Sequence, residues 1–362
     1  CGKNKLLQCK GACGNRMKMT FRWYGGDDPV SLEKISQIPQ MTGIVSAVYD
    51  VKPGGIWSEE SIEKIKSQAK AHNLEFEVVE SVPVPEDIKL GNENAGELIK
   101  NYCENVRRLG KQGVKCICYN FMPVFDWLRS ELEHKHSDGS NSLAYDDLTV
   151  RALDPTVSEL SLPGWDASYK KDELKGLIAK YKELSEEGLF KNLERFLKAV
   201  IPVAEEAGVD MAIHPDDPPW GMFGLPRIIT NKANIKRMFD MVPSKNNGLT
   251  LCTGSLGANP ENDLIDMVHT FKDRIHFVHL RNIKYTGEKC FVEVGHPTNC
   301  GSIDMYGIAK ALVEEGFDGY VRPDHGRMIW GEKGRYGYGL FDRALGAAYL
   351  TGLFEAIEKG EK

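Results

Sequence analysis

The sequence predicts an α/β fold, a (β/α)8 or TIM barrel with a long insertion after the fourth strand and an extra hairpin after the seventh. Two observations lead to this prediction. Strand-like and helix-like segments alternate from residue 20 onward, which is typical of βα units around a parallel sheet. The strand candidates are eight in number, and a parallel sheet of that size closes naturally into a barrel.

Each strand candidate is a short run rich in β-branched or aromatic residues, the types that favour a pleated, buried segment. In chain order they are TFRWY at 20–24, GIVSAVY at 43–49, EFEVVES at 75–81, KCICYNF at 115–121, DMAIHP at 210–215, GLTLCT at 248–253, IHFVHLR at 275–281 and GYVRPDH at 319–325. Helical patterns separate them. Ser58 before acidic residues is a typical helix start, and Gly113 after basic residues is a typical helix end.

Two segments depart from the regular alternation. Residues 122–185 form a long polar and aromatic stretch after the fourth strand, and connections of that length are often lids or binding elements. We therefore predict an inserted lid or subdomain there. Residues 289–297 (KCFVEVGHP) follow the seventh strand, and we predict that they form a hairpin with it.

Composition limits the possible functions. The chain has 362 residues, 41% of them hydrophobic and 27% charged, and no apolar run reaches the ~20 residues of a membrane-spanning helix. A net charge of −6 and a pI near 5.9 provide no basic surface for a phosphate backbone. We expect neither a membrane nor a nucleic acid as partner.

The cysteines indicate the compartment. There are nine, most within predicted strands or helices rather than at the spacing of a disulfide framework, which indicates a reducing cytoplasm. Residues 1–16 precede a plausible start at Met17 or Met19 and contain no signal-peptide core. We interpret them as an expression-derived or upstream-translated extension, and residues 17–362 as a single catalytic barrel domain.

Four strands in the C-terminal half end in possible metal ligands: His214, Cys252, His279 and Asp324. Side chains alternate between the two faces of a strand, so all four lie on the face opposite an aliphatic row, toward the barrel interior. Active sites of these barrels lie at the C-terminal strand ends. A lone histidine or buried cysteine is more often structural, but four in corresponding positions predict a divalent metal site.

Longer motifs carry a family resemblance. They are FRWYG at 21–25, DPVSL at 28–32, VVESVPVPEDIK at 78–89, CYNFMPVFDW at 118–127, HPDDPP at 214–219, LCTGSLG at 251–257, HLRN at 279–282, RPDHGR at 322–327 and GYGLFDRALGAAYL at 337–350. From about Met17 onward the chain resembles mannonate dehydratase, whose barrel is related to the xylose isomerase type.

The resemblance implies a lyase that removes water from D-mannonate to give 2-keto-3-deoxy-D-gluconate in hexuronate breakdown, with Mn2+ or Fe2+ as cofactor. It implies the same four metal ligands, His325 as a catalytic residue, and Tyr338 as a second. It also implies a homodimer or larger homo-oligomer. Which of His325 and Tyr338 is base and which is acid stays open.

The chemistry of such a dehydration can be argued without the family. Taking a proton next to a carboxylate builds a second negative charge on an enediolate, which a cation must stabilise. A histidine titrates near neutral pH and suits proton transfer, whereas a tyrosine is normally protonated. A site with a thiolate and two imidazoles should hold Zn2+ more tightly than Mn2+. We expect activity with Mn2+ or Fe2+ and occupancy without activity for Zn2+.

Several further side chains on the interior faces are candidates for substrate binding. Arg281 and Arg322 could each clamp a carboxylate, or could equally be charge partners of acidic residues. Weaker candidates for sugar hydroxyls are Arg22, Glu80 and Asn120. Because a fold does not fix its chemistry, an aldose–ketose isomerase, a metal-dependent hydrolase and a non-catalytic sugar-acid binding protein stay as alternatives.

Overall fold

The computed structural model describes residues 17–155 and 171–360, and the N-terminal extension of residues 1–16 and residues 156–170 of the insertion lie outside them. The strands are β1 Lys18–Arg22, β2 Gly43–Ser46, β3 Glu75–Glu80, β4 Cys116–Tyr119, β5 Glu131–Lys135, β6 Asn141–Asp146, β7 Asp210–Ile213, β8 Asn247–Cys252, β9 Ile275–Leu280, β10 Ile283–Gly287, β11 Cys290–Glu293 and β12 Tyr320–Pro323. The helices are α1 Leu32–Ser36, α2 Glu59–Lys70, α3 Glu86–Leu90, α4 Ala95–Lys111, α5 Asp147–Ala152, α6 Lys171–Glu183, α7 Glu186–Ala207, α8 Lys232–Met241, α9 Thr253–Leu256, α10 Leu264–Phe271, α11 Met305–Glu314 and α12 Phe341–Gly360.

Eight parallel strands close into a barrel in the order β1-β12-β9-β8-β7-β4-β3-β2. All eight predicted strands are confirmed, each ending one to three residues from the predicted limits. The predicted helix start is also confirmed, since the Ser58 side chain accepts a hydrogen bond from the backbone N–H of Ser61 at 3.0 Å.

The two faces of the barrel strands belong to separate apolar clusters. Met211 and Ile213 on β7 pack with the helices in the main hydrophobic core. Ala212 between them packs instead with Phe277, Val45 and other side chains of a small inner cluster. This is the alternation expected of a barrel whose outer face is covered by helices and whose interior is filled by side chains.

A second, four-stranded antiparallel sheet has the order β10-β11-β6-β5. Our prediction that 289–297 pairs with the seventh barrel strand was wrong in its partner: β11 pairs with β10, a separate strand that begins at Ile283. The other edge of β11 pairs with β6 of the insertion. A hairpin and an insertion far apart in sequence therefore form one sheet beside the barrel mouth.

Among the described residues, no helix combines the length and apolar character needed to cross a membrane. The six cysteines within this part of the chain are all free thiols.

Candidate metal centre and active-site cavity

Three of the predicted ligands come together at the C-terminal ends of the barrel strands. In the parallel ladder Cys252 is opposite His279, and His214 directly follows β7, the other neighbour of β8. The potential ligand atoms of His214, Cys252 and His279 all lie within 4.8 Å of one another. A divalent cation with nitrogen and sulfur ligands fits this geometry.

Asp324 lies beside this cluster rather than within it. Its Oδ2 is 3.6 Å from Cys252 Sγ, and its Oδ1 is 3.9 Å from His279 Nδ1. Arg322 binds Oδ1 at 2.9 Å. Burial alone would raise the pKa of Asp324, but the charges around it, that of Arg322 first, hold the pKa well below its usual range. The carboxylate is therefore ionised and within reach of a shared cation.

The two histidines carry features suited to metal ligation. His214 Nδ1 lies 2.7 Å from the carbonyl oxygen of Pro215, which can only accept, so Nδ1 carries the proton and Nε2 keeps a lone pair. His279 Nε2 is buried and makes no hydrogen bond of good geometry among the described residues, although Glu80 Oε2 lies 3.5 Å from it. An orphaned ring nitrogen next to a thiol and a second imidazole is consistent with a ligand position.

A second group, Glu80, Cys118 and His279, also has ligand atoms within 4.8 Å of one another. It is a poorer cation site. Burial raises the pKa of the Cys118 thiol well above its usual value, and metals bind the thiolate. The Glu80 carboxylate is already bound by the Arg322 guanidinium at 3.0 Å. The first cluster is thus the better metal centre.

His325 and Tyr338 form a hydrogen-bonded pair next to this centre. His325 Nε2 is 3.0 Å from the Tyr338 hydroxyl and 4.0 Å from Asp324 Oδ1. Burial, followed by the neighbouring Tyr24 and Asp324, raises the pKa of Tyr338 well above its usual value. Tyr338 therefore holds its proton at neutral pH. Gly337 before it has φ +78°, and a Cβ there would come within 2.8 Å of Leu143, so this close approach requires glycine.

Behind His325 lies a buried charge cluster that sequence reasoning missed in part. Arg129 binds Asp217 at 2.9 Å and Glu293 at 2.7 Å. Arg281 binds the same two carboxylates at 2.8 and 3.2 Å, and Glu293 also contacts His325 at 3.0 Å. The acidic pair in the HPDD motif and the lone acidic residue in FVEV were the only available signals for Asp217 and Glu293.

A cavity of about 600 Å3 lies at the mouth of the barrel, beside the metal centre and the His325–Tyr338 pair. Nine of the predicted site residues line it, namely Arg22, Glu80, Asn120, His214, Arg281, Arg322, Asp324, His325 and Tyr338. Cys252 and His279 are completely buried and are not among the residues that line it. The cavity suits a small polar ligand.

The candidate substrate-binding residues differ in their free donors. Arg22 makes its contacts through one nitrogen, Nη1, which approaches two backbone carbonyls and the Tyr49 hydroxyl at 2.7 Å. Arg281 is committed to its acidic partners, with only Nε unpartnered among the described residues. Arg322 contacts Glu80 and Asp324 through a single nitrogen, and both Nε and the other terminal nitrogen are unpartnered in the described part of the chain.

Comparison with known proteins gives a consistent result. The family model described as D-mannonate dehydratase (UxuA) matches residues 17–362. A mannonate dehydratase from Streptococcus agalactiae serotype III is 55% identical over 348 residues, covering 96% of this chain and all of the relative. The crystal structure of mannonate dehydratase from Streptococcus suis serotype 2 matches with a TM-score of 0.89 at 46% identity, covering 96% of this chain and 95% of that one. A xylose isomerase domain protein from Planctomyces limnophilus matches with a TM-score of 0.56 at 12% identity, covering 95% and 99% of the two chains, which is a likeness of fold alone.

Proposed function

This chain belongs to the D-mannonate dehydratase family, and from that premise we propose how its residues remove water from D-mannonate. The protein is a hydro-lyase whose reaction yields 2-keto-3-deoxy-D-gluconate and water, a step of hexuronate breakdown. The arrangement that carries the mechanistic proposal is the His325–Tyr338 pair, joined at 3.0 Å. It lies beside a cluster able to bind a cation, two of whose members, His214 and Asp324, line the same cavity.

His214, Cys252, His279 and Asp324 would hold the divalent cation. Two imidazoles and a thiol in mutual reach, with an ionised carboxylate beside them, form a suitable donor set. The family favours Mn2+ or Fe2+, while the affinity order of nitrogen and sulfur sites favours Zn2+. When bound, the ion supplies positive charge to the substrate carboxylate as C2 loses its proton.

The proton roles follow from the two environments. The raised pKa of Tyr338 means that it cannot be the base at neutral pH, so His325 takes the C2 proton and Tyr338 is the acid. The C2–H electrons move into the C1–C2 bond. As the C2–C3 double bond then forms, the C3–O bond breaks, and the Tyr338 proton leaves with the hydroxide as water. The resulting enol ketonises to the 2-keto acid.

The same hydrogen bond resets the site. After elimination, His325 carries one extra proton and Tyr338 lacks one. Their 3.0 Å contact allows Nε2 to return the proton to the phenolate, so both residues regain their starting state without help from solvent. The pair therefore acts as one unit, and loss of either member should be nearly as damaging as loss of both.

Arg322 is the principal substrate-binding residue in this proposal, because it lines the cavity and two of its nitrogens have no partner among the described residues. A planar guanidinium suits a carboxylate or a pair of oxygens. Glu80 ends β3 and Asn120 follows β4, and both line the cavity, where they accept hydrogen bonds from sugar hydroxyls. Arg22 lines the same cavity and makes its protein contacts through one nitrogen, so it is a second candidate for a substrate contact. Arg281 acts mainly by holding neighbouring groups in position.

We further propose that residues 17–362 form one catalytic domain in which 122–185 covers the site, and that the chain is a cytoplasmic homodimer or larger homo-oligomer. Free thiols throughout the described residues suit a reducing compartment. An exposed Trp330, whose ring lies 5.6 Å from that of Phe341 at a tilt of 50°, provides apolar surface of the kind that subunits cover. Light scattering after size-exclusion chromatography tests the assembly.

The test of function is turnover of D-mannonate by the metal-loaded protein, followed by detection of the α-keto acid product. An isomerase would give a product of unchanged formula, and a binding protein would give none. His325→Ala should lower kcat by a factor of about 10² to 10⁴. His269→Ala is the matched control, because His269 pairs with Glu315 on the outer helices and should leave kcat unchanged.

A further inference from the structure

Glu293 is the last residue of β11, in the second sheet rather than in the barrel. The pairing of β11 with β10 and β6 carries its side chain to the barrel mouth. There both of its carboxylate oxygens lie 3.0 Å from His325 Nδ1. The residue is only 1% exposed, so this contact is made away from water.

A buried carboxylate needs strong partners, because an unpaired charge inside a protein is very costly. Arg129 donates to Glu293 from two nitrogens, at 3.0 and 2.7 Å, and Arg281 donates at 3.2 Å. Burial alone would raise the pKa of Glu293, but His325 and the two arginines lower it to about 2. Glu293 is therefore an anion that can only accept hydrogen bonds.

The position of the proton on His325 follows from these contacts. Arg281 also approaches Nδ1, at 2.7 Å, but a guanidinium only donates, so Nδ1 cannot bond to it and to Glu293 at once. The nitrogen that approaches Nδ1 is Nη1 of Arg281, and it already has an acceptor in Glu293 at 3.2 Å, whereas Glu293 offers Nδ1 two acceptor oxygens at 3.0 Å. The proton therefore sits on Nδ1 and faces Glu293. The Nε2 lone pair then faces Tyr338 and the cavity.

We propose that Glu293 is a positioning residue that fixes the tautomer and ring orientation of His325, so that Nε2 is the atom available to receive the substrate proton. Arg129, from the start of the insertion, clamps Glu293 in place. The described start of the insertion thus serves as a scaffold for the base. The inference rests on the role given to His325 under the proposed function.

The kinetic test uses Glu293→Gln, which keeps the shape and one acceptor oxygen but removes the charge. We expect kcat to fall about 10- to 100-fold, the usual cost of losing such an outer partner, with KM within about threefold. Glu293→Asp keeps the charge for Arg129 and serves as the folding control. In a His325→Ala background, Glu293→Gln should cause no further loss. An equal loss in both backgrounds, or no loss in either, would overturn the proposal.

A spectroscopic test does not depend on turnover. In Zn2+-loaded protein labelled with 15N-histidine, the His325 signals are assigned by their absence in His325→Ala. Wild type should show a protonated Nδ1 and an unprotonated Nε2, and Glu293→Gln should lose this preference. Observation of the Nε2–H tautomer in wild type would contradict the proposed role of Glu293, even if the protein dehydrates mannonate. Conversely, the expected tautomer in a protein that fails to dehydrate mannonate even when loaded with Mn2+ or Fe2+ would contradict the proposed function alone.

Discussion

Replacing Arg129 by methionine should destabilise the protein strongly, because the side chain is completely buried and paired with two carboxylates. It binds Asp217 at 2.9 and 3.0 Å and Glu293 at 3.0 and 2.7 Å. Removing one partner of a buried charge network costs about 3–5 kcal/mol. Arg281 still contacts both carboxylates, so we expect a value near the lower end, about 3 kcal/mol.

The pH dependence gives a second, independent readout. The pKa of Glu293 is lowered to about 2 and that of Asp217 is also lowered, against burial, by the arginines. A depressed carboxyl pKa contributes stability that is present above the unfolded-state pKa, near 4, and is lost as pH falls toward the folded value. The stability difference between wild type and Arg129→Met should therefore be largest at neutral pH and shrink below about pH 4.

Urea unfolding of both proteins at several pH values measures this difference. Arg107→Met is the matched control, since Arg107 faces Glu104 at 3.7 Å with 53% of its side chain exposed; its loss should cost less than about 1 kcal/mol. If Arg129→Met costs no more than Arg107→Met at neutral pH, or if its deficit widens in acid, the buried network does not stabilise the fold as argued.

Three further changes probe the site. Tyr338→Phe removes the hydroxyl 3.0 Å from His325; kcat should fall about 10²- to 10⁴-fold with little change in KM, and a variant with wild-type kcat would exclude Tyr338 as the acid. Cys252→Ser should weaken metal binding more than about 100-fold, since even outer-shell changes cost 10- to 100-fold; equilibrium dialysis with metal analysis would show this, and unchanged affinity would remove Cys252 from the ligand set. Arg322→Lys should raise KM about tenfold, because a point charge cannot replace the fork; steady-state kinetics with an unchanged KM would argue against substrate contact. In a metal swap, Zn2+ should bind the protein without supporting turnover, and equal turnover with Zn2+ and Mn2+ would refute the expected selectivity.

The barrel could be predicted because its pattern is local. Each βα unit repeats within a few dozen residues, and the alternation of side chains along a strand decides which face meets helices. Met211 and Ala212 illustrate this, since adjacent residues enter different apolar clusters. The same alternation brought His214, Cys252 and His279 to one place, because parallel strands end at the same edge of the sheet.

The charge cluster could not be predicted in this way. Arg129 and Glu293 are 164 positions apart, and their contact depends on the pairing of β6 with β11, which no local periodicity encodes. The predicted hairpin failed for a related reason. The segment 289–297 was assigned to the nearest predicted strand, whereas a further strand, β10, lies between them, and β11 pairs with β10 and with β6.

The sequence did not decide whether Arg281 and Arg322 bind substrate or pair with acidic residues, and the structure shows a difference between them. Both border the cavity and both contact acidic residues. The Arg281 terminal nitrogens are occupied by Asp217, Glu293 and Ser255, so they have little left to offer a ligand. Arg322 meets its acidic partners with one nitrogen and keeps two without partners among the described residues. Because a buried donor without an acceptor is costly, we propose that the substrate supplies the acceptors for Arg322, and that Arg281 is the charge that holds Glu293 and Asp217 in place.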